Sequence, residues 1–180
     1  PGVTGAVTLT VENVAPIVNA GDDIVINEGD TAHFFGSFTD PAGAADGPFT
    51  LSWSFNDSPD PVTGTLTTER LYPADGAFTA TLSVTDADGA TRADTLNITV
   101  LNVAPIVDAG EDVTINEGGS VAFAATASDP GGETLTYTWN FYDGSPAVTG
   151  TLEPSHTFVD DGVYDVTLTV SDGDGGVTVD

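Results

Sequence analysis

The phrase NVAPIV stands twice in this chain, beginning at Asn13 and again at Asn102, 89 residues apart. Six identical residues at that spacing point to one structural unit used twice. At this offset Asn13–Asp40 and Asn102–Asp129 agree at 15 of 28 positions, including both INEG phrases, Phe34 with Phe123 and Asp40 with Asp129. The second copy is then three residues shorter. At an offset of 86, Trp53 falls on Trp139, Phe55 on Phe141, VTGTL at Val62 on VTGTL at Val148, and TLSVTDADG at Thr81 on TLTVSDGDG at Thr167. A unit of this length matches a small β-sandwich better than half of one large domain.

Within each copy the pattern repeats every two residues. Phe49–Phe55 (FTLSWSF) and Leu135–Phe141 (LTYTWNF) alternate apolar with small polar residues, as do Phe78–Val84 and Tyr164–Val170. Alternation of this kind marks half-buried strands, and the Asp-Gly, Asn-Glu-Gly and Asp-Pro clusters between them mark turns. No stretch carries a helical stripe. The fold class is therefore all-β, as tandem antiparallel sandwiches of seven strands each. Trp53 and Trp139 are expected to be more than about nine-tenths buried, with Phe55, Phe141, Phe78 and Tyr164 also on core positions. Phe35, Phe38 and Tyr142 fit edge packing or loops.

The charge excludes several functions. The chain has 28 acidic residues against two basic ones, Arg70 and Arg92, for a formal net charge of −26. Such a surface repels nucleic acid and anionic lipid and attracts divalent cations. Hydrophobic residues make up 39%, enough for packed cores. There is no cysteine, so disulfides and thiol chemistry are absent, and no apolar run approaches the length of a membrane span. Membrane insertion is not expected of this segment.

Trp53–Asp57 (WSFND) and Trp139–Ser145 (WNFYDGS) resemble the W-D-F-G-D-G signature of the polycystic kidney disease (PKD) repeat. Pro154–Gly175 resembles the second half of that family, and the NVAP and INEG phrases resemble its tandem bacterial and archaeal members. The first copy departs further, with Asn56 and Ser58 at the two glycine positions and Arg70 where the second copy has His156. The resemblance implies immunoglobulin-like sandwiches of an extracellular or cell-surface protein.

The boundaries follow from the alignment. Val7–Asn13 (VTLTVEN) aligns with Leu96–Asn102 (LNITVLN), the last strand of its copy, whereas Asp180 aligns with Asp94. Residues 1–12 thus read as the last strand of a preceding repeat, 13–101 as repeat 1, and 102–180 as repeat 2 without its last strand. Two explanations stand: a window of a longer array, or an orphan strand that completes repeat 2 of another copy by strand donation. In the latter case Thr4–Glu12 pairs as a strand and Val7, Leu9 and Val11 enter the acceptor core.

In PKD-like domains that bind calcium, the resemblance places the ion among a junction Asn, a loop Asp and the Asp ending the penultimate strand. These are Asn13, Asp40 and Asp86 in repeat 1, and Asn102, Asp129 and Asp172 in repeat 2. The second loop carboxylate usual two residues after the first is replaced by Ala42 and Gly131, with Asp46 and Glu133 the nearest substitutes. The competing reading makes these aspartates turn formers that accept backbone N–H bonds. Any calcium affinity would be weak, ~10⁻⁴ to 10⁻³ M as in extracellular modules. His33 and His156 fall at different places in their repeats and suggest no catalytic pair, so no enzyme is expected.

These features describe a spacer, stalk or adhesive fibre, stiffened by calcium at junctions that lack a Gly/Ser linker and carry Pro16 or Pro105. Its partners would be neighbouring repeats or copies of itself. The rival reading is a module of a secreted hydrolase that docks on a polysaccharide or protein.

Overall fold

A computed structural model describes residues 5–180. Repeat 1 runs through β1 (Ile17–Asn19), β2 (Ile24–Asn27), β3 (Thr31–Phe35), β4 (Ser37–Thr39), a 3₁₀ turn at Gly43–Asp46, β5 (Thr50–Phe55), β6 (Ser58–Thr63), β7 (Thr67–Leu71), β8 (Gly76–Thr85) and β9 (Thr91–Leu101). Repeat 2 runs through β10 (Ile106–Asp108), β11 (Ser120–Ala122), β12 (Thr126–Ser128), β13 (Thr136–Asn140), β14 (Val148–Thr149), β15 (Ser155–Thr157), β16 (Thr167–Ser171) and β17 (Val177–Val179).

Seven strand paths are present in each repeat, some of them broken. In repeat 1 the first path splits into β1 and β2, which join different sheets, and Gly36 separates β3 from β4. One sheet has the order β2-β9-β8-β5-β6, and the pairs β1-β4 and β3-β7 form the other layer. Repeat 2 has the sheet β14-β13-β16-β17 with the pairs β10-β12 and β11-β15. The edge strand β6 contains Pro59, Asp60 and Pro61, and these residues discourage further pairing at an exposed edge.

The same register positions both tryptophans. Trp53 on β5 lies opposite Leu82 on β8, and Trp139 on β13 lies opposite Leu168 on β16. All four residues are fully buried. Phe34 from β3 packs 5.6 Å from Trp53 and 5.2 Å from Phe55, while Phe123 packs 4.9 Å from Trp139 and 5.6 Å from Phe141. The period-two pattern along β9 buries Leu96, Ile98 and Val100. Phe78 and Tyr164, expected in the cores, are only half-buried. Tyr164 packs at the margin of its core, its ring 4.8 Å from Phe158.

Two chain segments bear on the expected boundaries. Repeat 2 was expected to lack its last strand, yet Val177–Val179 pairs with β16 as the start of that strand. Asp180 exchanges backbone bonds with Leu168 at 2.8 and 3.0 Å. Its carboxylate also accepts the Ala109 N–H at 2.8 Å, just as Asp94 accepts that of Ala20 at 2.8 Å in repeat 1. Within this chain 5–12 forms no strand, and Val7, Leu9 and Val11 are 96%, 84% and 84% exposed. The part of the donor segment at 1–4 lies outside the described residues.

Compactness follows a different boundary from the repeats. One compact unit gathers Thr99–Asp180 with two segments of repeat 1, Val25–Thr31 and Leu71–Gly76; the remaining described residues form the other. The first Asn-Glu-Gly turn therefore belongs to the second unit.

Candidate metal centre

The aspartate that ends the penultimate strand is built the same way in both repeats. Asp86 follows β8, and the chain turns back through Gly89, whose φ is +90°. Its Oδ1 accepts the N–H groups of Asp88 at 3.0 Å and Ala90 at 2.8 Å, and its Oδ2 accepts the Asn13 amide at 3.0 Å. The Asn13 amide, followed by backbone N–H groups, holds the Asp86 carboxyl below the usual range against the opposing effect of burial. Asp172 follows β16 and accepts N–H bonds from Asp174, Gly175 and Gly176 at 2.8–3.1 Å, with the Asn102 amide at 3.1 Å on its other oxygen. Burial pushes its carboxyl up, but Asn102 and the backbone donors together outweigh burial and lower it. Both aspartates are thus turn formers, and each brings its junction asparagine to the same spot.

The loop aspartates complete this arrangement differently. Asp40 follows β4; its Oδ1 accepts the Ala42 N–H at 2.9 Å, while its Oδ2 is buried without a donor. The 3₁₀ turn carries Asp46 back toward it, and carboxylate oxygens of Asp40, Asp46 and Asp86 lie within 4.8 Å of one another. Burial first, then the charges of Asp40, Asp88 and Asp86, push the Asp46 carboxyl up. In repeat 2, Asp129 Oδ1 accepts the Gly131 N–H at 2.9 Å and its Oδ2 is likewise buried without a donor. Its carboxylate stands within 4.8 Å of Glu133 and of Glu28. Glu133's own backbone N–H favours its anion, but burial and the neighbouring Asp129 and Glu28 prevail and raise its carboxyl.

In repeat 1 Asp40 and Asp86 come together with Asp46, and Asn13 bonds Asp86; in repeat 2 Asp129 groups with Glu133 and Glu28, while Asn102 and Asp172 bond each other. Glu28 was missed. It sits in INEG, a phrase that reads as turn punctuation, and the same phrase at Glu117 leaves its acid exposed, so the motif alone does not mark it.

The clusters suit a hard divalent cation. Calcium takes six to eight oxygens at roughly 2.3–2.6 Å, so ligands across one ion stand up to about 5 Å apart, comparable with the 4.8 Å groups. Donorless buried oxygens also occur on Asn102 (Oδ1), Glu133 (Oε2) and Glu28 (Oε2). A Cβ at Gly131 would meet the Glu28 and Glu133 carboxylates, so a larger residue there must displace these side-chain ends. An all-oxygen set without His or Cys favours calcium over zinc. Glu133 also stands within 4.8 Å of Asp75 and Asp174, whereas a fourth group, Glu117, Asp160 and Asp161, is fully exposed and has no such oxygen.

The histidines form local contacts. His156 Nε2 lies 2.7 Å from Asp143 Oδ2, and its ring stacks on Phe141 at 3.8 Å. Asp143 is also bonded by Ser145; the Ser145 hydroxyl, then His156, hold its carboxyl far below the usual range. Repeat 1 meets the same need with Arg70, bonded to Asp57 at 2.9 Å and lying 5.0 Å over the Phe55 ring. Both residues lay a planar, nitrogen-bearing side chain over an aromatic ring and bond the signature aspartate. His33 is on the surface, 3.4 Å from Glu69.

Among solved structures, the chain is similar to the insect immune protein hemolin, with a TM-score of 0.51 at 14% identity, covering 91% of this chain and 45% of that one. It is also similar to the fibronectin(III)-like modules of Clostridium thermocellum CbhA, with a TM-score of 0.39 at 16% identity, covering 91% of this chain and 90% of that one. At 14% identity the likeness to hemolin shows the sandwich fold alone. No curated protein matches the chain. The family model of the PKD domain matches twice, over residues 13–100 and 102–180, and the chain belongs to the PKD domain family, as two tandem copies.

Proposed function

We propose that this chain is a non-catalytic spacer or stalk segment of an extracellular repeat protein, and that its repeats take up calcium. PKD and related immunoglobulin-like folds are generally non-catalytic modules, and among the described residues no helix is long and apolar enough to cross a membrane. The observation that carries the calcium reading is the set of buried oxygens without donors at the two carboxylate clusters. Buried polar atoms are nearly always satisfied, and like charges held this close oppose folding until a cation neutralises them. Asn13, Asp40, Asp46 and Asp86 would hold one ion, and Asn102, Asp129, Glu133 and Asp172 another. Each ion would supply positive charge that ties the loop aspartate, junction asparagine and strand-end aspartate together.

Thermal denaturation tests this reading. With a Kd of ~10⁻⁴ to 10⁻³ M, 10 mM calcium should raise Tm by roughly 5–20 °C, and a chelator should reverse the rise. Replacing Asp86 and Asp172 with alanine should remove most of the increment. An unchanged Tm would return these residues to turn formers.

A second reading, strand donation between copies, is favoured by one comparison. In repeat 1, β8 begins at Gly76, whereas in repeat 2 the aligned 162–166 is not a strand and β16 begins at Thr167. Exposed Val7, Leu9 and Val11 carry the alternation that Leu96, Ile98 and Val100 bury. The 5–12 segment of a second copy would supply the matching ladder and apolar face. Light scattering should then show head-to-tail oligomers that deletion of residues 1–12 abolishes; a strictly monomeric chain at high concentration rejects donation.

A further inference from the structure

We propose that Glu28, a residue of the first repeat, directly ligates the divalent cation held by Asp129 and Glu133, so that repeat 2 cannot hold this ion at full strength without repeat 1. The inference rests on the calcium reading above and names a ligand that this reading does not include.

The turn that carries Glu28 is fixed from its ends. Glu28 N–H donates to the Leu101 carbonyl at 2.9 Å, Gly29 N–H to that of Tyr72 at 2.8 Å, and Gly29 takes a φ of +77°. The side chain cannot swing to water; Glu28 is 2% exposed. Its Oε1 accepts the Val103 N–H at 2.8 Å, which aims Oε2 into the space shared with Asp129 and Glu133. There Oε2 meets no donor, and neither do Asp129 Oδ2 and Glu133 Oε2. All of these groups belong to the same compact unit.

A buried carboxylate normally has a cationic or hydrogen-bonding partner, and this protein has few to offer. Arg70 is engaged with Asp57, Arg92 is exposed and bonds the Thr91 carbonyl at 3.5 Å, His156 is held by Asp143, and His33 lies by Glu69. The chain has no lysine. Compensation must therefore come from solution. Three carboxylates converging in a pocket kept open by Gly131 select a divalent ion with oxygen preference.

The test uses the full chain and calcium itself. Glu28→Gln keeps an acceptor for the Val103 N–H and removes the charge. Titration calorimetry of the unaltered chain should resolve binding at both clusters; in Glu28→Gln one event should weaken by about tenfold or more, since ligand charge count sets affinity. In calcium-free buffer the same variant should melt no lower than the unaltered chain, because a buried repulsion has gone. A purely structural glutamate would instead lower Tm in both buffers and leave the affinity unmoved. Gly131→Ala, which crowds the same carboxylates without removing charge, should weaken the same event. Unchanged affinity in Glu28→Gln, alongside clear loss in Asp129→Asn, overturns the proposal. Absence of any binding by the unaltered chain overturns the calcium reading itself, and this ligand with it.

Discussion

The two Asn-Glu-Gly turns have the same local sequence and nearly the same backbone. Gly29 and Gly118 take φ values of +77° and +70°, and their N–H groups donate at 2.8 Å to Tyr72 and Phe158, which occupy equivalent positions. Yet Glu28 is buried and bonded, whereas Glu117 is exposed. A short motif fixes a turn; what lies against the turn decides whether its acid becomes a ligand or a solvated surface charge. The carboxylate clusters differ in the same sense. The Asp40 group is assembled from its own repeat by a 3₁₀ turn, while the Asp129 group takes Glu133 from a shorter loop and Glu28 from another repeat.

The largest effect is expected from Trp139→Ala. Emptying a buried indole site costs about 3–5 kcal/mol, enough to unfold much of repeat 2. If the clusters are independent, calorimetry will retain calcium binding at the Asp40 group and lose it at the Asp129 group. Loss of both would show that the clusters share one folding unit.

Next in size is the contrast between Asp129→Asn and Asp40→Asn. The Asp129 group, with the additional carboxylate of Glu28, should be the tighter site, by about tenfold. Asp129→Asn should thus abolish binding at low calcium concentration and Asp40→Asn only at high concentration. The reverse order would count against Glu28 as a ligand.

A smaller effect separates the signature turns. Asp143 is depressed below its ordinary value of 3.8, so the folded state binds its proton less tightly than the unfolded chain does. Its contribution is fully present above about pH 4 and is lost as pH falls toward the depressed value. Asp143→Asn should lower Tm at neutral pH, and the gap to the unaltered chain should narrow on acidification below pH 4. For the raised carboxyls of Glu133 and Asp46 the sign is opposite: without calcium they weaken the fold at neutral pH, and this is relieved as pH falls through their raised values. The smallest expected change is for Glu117→Gln, within about 0.5 kcal/mol as for other exposed positions, with calcium affinity unaltered.

Much of the fold was legible because its determinants are local. Alternation placed Trp53, Trp139 and the β9 residues Leu96, Ile98 and Val100 inward, and identical phrases aligned the repeats. Phe78 and Tyr164 were placed too deep, since period two tells which face a residue takes but not how far the opposite layer extends. The aspartates of the clusters were legible from resemblance, and the structure shows why they also suit turns: each accepts backbone N–H groups on one oxygen. Glu28 was not legible, because its depth is set by Leu101 and Val103, more than 70 residues away in sequence.

The two arginines have a consequence for durability. Trypsin-like proteases need a basic residue on an extended segment that can leave its own structure and enter a cleft, and they nick exposed loop tips most readily. Here the whole chain offers two such residues, and both sit within strands: Arg70 in β7, which pairs with β3, and Arg92, the exposed second residue of β9. The loops, where a protease would gain access, contain neither Lys nor Arg. A folded segment of this composition gives such enzymes at most two cut sites, and its lifetime among them is set by how rarely those strands open.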